Sequence, residues 1–207
     1  MTDMKLEAAR PAPPRRQYQM VARAASAAAT GERILDATVA LFWEGPSLQF
    51  SLDDIATRAG VTVQTVIRRF GGKDGVIVAA IKREAAKVAV TRDPARVSSP
   101  AEAVRQLVDH YEALGDRVIE MLAEEVRTPA LRQVTEPGRQ FHRAWCERVF
   151  ESALAPLAGR TRQRRLAQLV AVCDVYTWKL LRRDAGLSRR QSELAMLELI
   201  EPLLEES

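Results

Sequence analysis

The most constrained spacing in the chain lies in residues 51–70, SLDDIATRAGVTVQTVIRRF, where Ala56, Gly60 and Val66 stand at offsets of four and ten. A helix-turn-helix needs a small residue where its helices cross, a glycine in the turn and an apolar anchor on the second helix. Ser51, with Asp54 three residues on, and Thr62 supply a start signal for each helix. On the second helix Val66 and Phe70 are i and i+4 and face inward, so Val63, Gln64, Thr65, Arg68 and Arg69 lie partly or wholly outward. Such side chains carry donors and acceptors suited to base edges and phosphates. The competing reading is a solvated helix face that is merely polar.

Other chemistry finds little support. GGKD at 71–74 lacks the spacing of a phosphate-binding loop, and no GxSxG, HExxH or glycine-rich dinucleotide loop occurs. The carboxylates sit on helix faces beside arginines, so the chain is not read as an enzyme and no cofactor is expected. His110 and His142 are isolated. Cys146 and Cys173 stand 27 residues apart with no CxxC pattern, so neither a metal site nor a disulfide scaffold is expected, and both thiols are expected reduced within helices. A small-molecule pocket would draw on His110, Tyr111, Met121, Phe141, His142, Trp145 and Tyr176, each of which also reads as plain core or surface. Arg160, Arg162, Arg164 and Arg165 read as a solvated basic face, with an anionic ligand or DNA as the alternative.

The elements that position these residues all read as helices. Thr30 caps a first helix carrying Ile34, Thr38, Leu41 and Phe42 on one face, and Gly45-Pro46 ends it. Helices follow from Ser51 to Gly60, from Thr62 to Phe70 and, after Gly71-Gly72, from about Asp74 to Ala89. Beyond these come about Pro100–Leu122, a short Pro129–Thr135, Glu136–Leu154, Thr161–Asp184, and a last helix from Ser188, boxed with Gln191, to Leu204. The helix around 166–181 is apolar on more than one side. With Leu194, Met196, Leu197, Leu199, Ile200 and Leu203 of the last helix it could form half of a dimeric bundle.

The chain has 207 residues, 47% hydrophobic and 28% charged, with aromatics at only 5%, which fits a globular all-α protein. Its net charge of +4 is uneven: residues 1–90 hold 13 basic and 9 acidic side chains, and residues 91–207 hold 18 of each. The positive excess suits a polyanionic partner at the N-terminal end. Residues 1–29, with five basic and two acidic side chains and Pro11, Pro13 and Pro14, read as a loose basic arm able to touch DNA. No apolar run reaches the roughly 20 residues of a membrane helix, and residues 17–30 are too polar for an export signal after Arg15-Arg16, so a cytoplasmic location is expected.

The run SLDDIATRAGVTVQTVIRRFGGKDGVIVAAI resembles the DNA-binding segment of the TetR family of transcriptional regulators: Ser51 opening the second helix, Ile55-Ala56, Ala59-Gly60-Val61 at the turn, Phe70 ending the third helix and Lys73 soon after. The resemblance implies a dimeric repressor that binds a palindromic operator in double-stranded DNA, is released by a small, mostly apolar ligand, and dimerises through its last two helices. Positions 62, 65, 68 and 69 would face DNA and Lys73 would bind phosphate, giving a DNA-contact set of Ser51, Thr62, Val63, Gln64, Thr65, Arg68, Arg69 and Lys73. Ile67 stands where the family usually has a phosphate-contacting Tyr. The implied organisation is an arm over 1–29, a helix-turn-helix domain over 30–89 and a helical ligand-binding and dimerisation domain over 90–207. A helix-turn-helix protein without a small-molecule switch, or an activator, are the alternatives.

Overall fold

The computed structural model describes residues 15–44 and 49–205, and in them every regular element is helical. Helix α1 (Arg15–Glu44) leads into α2 (Leu52–Ala59), α3 (Val63–Phe70) and α4 (Lys73–Thr91). A short 3-10 turn, Pro94–Arg96, precedes α5 (Pro100–Glu124), and another, Pro129–Leu131, runs directly into α6 (Arg132–Val149). Then come α7 (Glu151–Leu154), α8 (Gly159–Val172), α9 (Val175–Lys179) with a π-helical continuation over Leu180–Asp184, and α10 (Arg189–Glu205). No helix among the described residues is long and apolar enough to cross a membrane.

Two apolar clusters hold these helices together. The first gathers Ile34 and Ala37 of α1, Ile55, Ala56 and Ala59 of α2, Val66 of α3 and Val76, Ile77 and Val78 of α4. The expected inner face of the first helix is therefore present. Its expected start is not: Thr30 caps nothing, and its hydroxyl donates to the Ser26 carbonyl inside a helix that has run since Arg15. The prolines that argued for a loose arm, and the Gly45-Pro46 stop, lie outside the described residues, while residues 15–29 are helical rather than loose. The alanine-rich stretch favours this, because alanine has the highest helix propensity.

The second cluster joins α5 to α10, with Leu107, Val108 and Tyr111 facing Trp145 and Cys146, Leu166 and Leu169, Trp178, and Met196 and Ile200. Leu131 and Val134, at the start of α6, belong instead to the first cluster. That placement explains why the end of the expected short helix joins its successor in α6, which itself stops at Val149, before α7, short of the expected Leu154. The first turn of α6 is anchored by burial before Pro137 removes an N–H.

The helix expected over 161–184 is broken at Cys173-Asp174. Asp174 adopts extended backbone and its carboxylate accepts from the Tyr176 N–H at 2.9 Å, starting α9 afresh. The carbonyls released by the break are taken by side chains: Thr177 Oγ1 donates to Ala171 O at 2.6 Å and Tyr111 O–H to Cys173 O at 2.8 Å. Ser188 and Gln191 form the expected box, each backbone N–H bonding the other's side chain.

Candidate nucleic-acid interface and sensing cluster

The capping signals read from sequence are built as expected around the turn. Ser51 Oγ accepts from the Asp54 N–H at 3.1 Å, and the Asp54 carboxylate accepts from the Ser51 N–H at 2.7 Å. These bonds from Ser51 hold the Asp54 carboxyl below its ordinary range. Gly60 closes α2 in the left-handed region, φ 63°, and its N–H reaches the Ala56 and Thr57 carbonyls. Thr62 Oγ1 then accepts from the Thr65 N–H at 3.2 Å and lies 2.9 Å from the Thr65 hydroxyl. The turn therefore sets α3 at a fixed angle on α2 through Ala56, Ala59 and Val66, all buried.

That frame sorts the expected contact residues. Thr62, Gln64, Arg68 and Arg69 are exposed. Val63 is half-buried and packs partly against the head core. Thr65 is half-buried with its hydroxyl against Thr62, and Ser51 serves its cap through both N–H and hydroxyl. The Arg69 guanidinium folds back onto α1, so close to Gly31 that a Cβ there would stand 2.5 Å from Nη2. Ile67 is 39% exposed, an apolar group on an otherwise polar face. Lys73 is the first residue of α4, after a Gly72 that offers no side-chain cap, and its ammonium sits 5.5 Å from the centroid of the Phe50 ring. The junction is tight: a Cβ on Gly75 would fall 1.8 Å from the Phe70 carbonyl oxygen.

Two ion-pair sets brace the head. Arg83 of α4 reaches Glu32 at 2.9 Å and Asp36 at 2.8 Å, both on α1, and Arg58 pairs with Glu44. With the carboxylate partners largely exposed, such pairs add little each. Arg117 of α5 donates to the Trp43 carbonyl at 2.8 Å, so the end of α1 also touches the second cluster's helices.

Of the expected pocket residues, five converge. The His110 and Tyr111 rings lie 5.4 Å apart, and His142 stacks on Trp145 at 6.5 Å with 10° between planes. Phe141 and Trp145 both carry the guanidinium of Arg92, the residue after α4, at 5.5 and 4.8 Å from their centroids. Met121 packs with the head cluster and Tyr176 is exposed, so neither joins them. Sequence reasoning missed Arg92, since a basic residue at a helix C-terminus ordinarily reads as solvated. Burial, first, and then the neighbouring Arg92 guanidinium push His110 down to about 3.

Cys146 and Cys173 are free and buried, Cys146 inside α6 and Cys173 just past the end of α8. A hydrogen bond between their sulfurs lowers the Cys146 thiol and raises that of Cys173. The arginine cluster is also less uniform than expected: Arg162 pairs with Glu147 at 2.7 Å, and buried Arg165 donates to the Leu203 carbonyl.

Residues 34–80 match the family model described as "Bacterial regulatory proteins, tetR family". No curated protein matches the chain by sequence. Among solved structures, the fold resembles a transcriptional regulator from Rhodococcus sp. Rha1, with a TM-score of 0.62, 19% identity, and coverage of 87% of this chain and 96% of that one. It also resembles the fatty acid degradation regulator FadR from Bacillus halodurans, at TM-score 0.55 and 19% identity, covering 85% of this chain and 95% of that one. The helix-turn-helix head, over residues 34–80, is thus the part of the chain that matches the tetR family of bacterial regulatory proteins.

Proposed function

We propose that the protein is a dimeric repressor that binds a palindromic operator through α3 and is released by a small, mostly apolar molecule bound among its C-terminal helices. The carrying observation is the capped, outward face of α3. Thr62, Gln64 and Arg68 stand exposed around Ile67, and Lys73 follows at the start of a 19-residue helix whose first N–H groups have no side-chain cap. Thr62, Gln64 and Arg68 can reach base edges and phosphates, Ile67 suits a thymine methyl, and Lys73 a phosphate.

Dimerisation through the last helices is supported by large apolar side chains left exposed there: Tyr176, Leu180, Leu194 and Leu199. An exposed apolar set of this kind is what an isologous interface covers. The division into a DNA-reading head and a larger sensing body follows the two apolar clusters. A cytoplasmic location, where the DNA is, belongs to the same reading. Light scattering of the purified chain, alone and with a duplex selected for binding, tests it. A dimer in both cases is expected, and a monomer at micromolar concentration would contradict it.

A further inference from the structure

Arg92 is only 4% exposed. Its Nη2 lies 3.1 Å from His142 Nδ1, its guanidinium rests on the Trp145 and Phe141 rings, and its Nε has no partner. Trp145, in contact with it, also carries a buried N–H without an acceptor. Among the described residues no carboxylate pairs with Arg92. Arginine does not deprotonate in proteins, and a buried cation without an anion is costly; aromatic faces offset only part of that.

No neighbouring carboxylate among the described residues supplies the missing charge. Arginine has no acceptor, so His142 Nδ1 accepts from it and Nε2 carries the proton, facing the Val170 carbonyl at 3.3 Å. His110, pushed down to about 3 mainly by burial, is neutral. The Cys146 sulfur meets the His142 ring at Nε2, 3.8 Å away, on the side turned from Arg92.

We infer that this cluster receives the carboxylate of an otherwise apolar molecule. One negative charge balances one guanidinium, whose planar edge suits a carboxylate. The unpartnered Trp145 N–H is a further donor, and the surrounding rings suit an apolar body. This inference deepens the proposed function and rests on its reading of the C-terminal helices as a sensor. It also names how the signal leaves the site. Arg92 follows α4, whose other end adjoins α3, and His142 lies on α6, whose first turn puts Val134 into the head core. A carboxylate that draws Arg92 from His142 shifts the two elements that reach the head.

The test is calorimetric titration of octanoate and phenylacetate, each against its primary amide, into the full-length chain and into Arg92→Met and Arg92→Lys. Each carboxylate is expected to bind the unaltered protein at least ~10-fold more tightly than its amide. Arg92→Met abolishes that preference and Arg92→Lys keeps part of it. Acid and amide binding alike, neither carboxylate binding, or Arg92→Met keeping the preference would overturn the inference. If Arg92→Met melts early, the acid–amide comparison in the unaltered chain and Arg92→Lys decides. Operator affinity is read in the same samples. A carboxylate that binds without changing it supports the anion site and overturns the sensor reading, whereas an amide that weakens it equally does the reverse.

Discussion

At the scale of single residues, the proposed function separates contacts that would choose a sequence from contacts that would only hold the DNA backbone. Lys73→Ala is expected to weaken binding to every duplex and to reduce the slope of log affinity against log salt by about one. Arg68→Ala should instead change base preference at one position, by about 1–3 kcal/mol. A Lys73→Ala protein with altered preference and an unchanged salt slope would reverse those roles. His110 makes a separate prediction about stability. It takes its proton near 6.5 when unfolded but only at about 3 when folded. The unfolded state therefore binds more protons below about 6.5, so stability falls as pH drops through that window. From pH 7 to pH 5 the loss from this group is about 2 kcal/mol. Denaturant melts of the unaltered chain and of His110→Gln should differ in pH dependence by that amount, and equal slopes would contradict it. Sequence pattern sufficed for Thr62, Gln64 and Arg68, because capping and i, i+4 spacing settle which side of a short helix is outward. It did not suffice for the fold of the Arg69 guanidinium onto α1 or for the burial of Arg92, which depend on what α1, α4 and α6 bring together.

At the scale of elements, α2 to α5 were legible to within a few residues because capping residues and glycines mark their ends. The start of α1 was misjudged because the alanine-rich stretch is itself helix-forming, and two other misjudged boundaries share one cause, tertiary contacts that override a local signal. Leu131 and Val134 anchor α6 ahead of Pro137, and Tyr111 and Asp174 stabilise a break that apolar periodicity alone would have run through. The junction of α3 with α4 leaves no room at Gly75. At Gly75 a methyl group would strike the Phe70 backbone oxygen at 1.8 Å, with no side chain free to yield. Gly75→Ala is expected to destabilise the protein by about 1–3 kcal/mol, the usual cost of overpacking. It should also weaken operator binding more than a melt of the same size elsewhere would. A thermal melt paired with an operator titration checks this, and an unchanged midpoint would show that the junction has slack.

At the scale of the whole molecule, head and body meet through α4, through the start of α6 and through Arg117 on the Trp43 carbonyl. A bound effector can act only by its differential affinity for two arrangements of these contacts. A coupling of about 1–3 kcal/mol would change operator affinity roughly 5–150-fold, and operator must weaken effector binding by the same factor. All of this presupposes a two-fold dimer that presents two copies of α3 to the same face of DNA. Selection of bound duplexes from a random pool, followed by footprinting, measures that directly. An inverted repeat is expected, its half-site centres about 10–10.5 base pairs apart or a multiple of that, with protection lost when α3 carries Arg68→Ala and Gln64→Ala together. A single unsymmetrical site, or a footprint unaffected by those two substitutions, would contradict it.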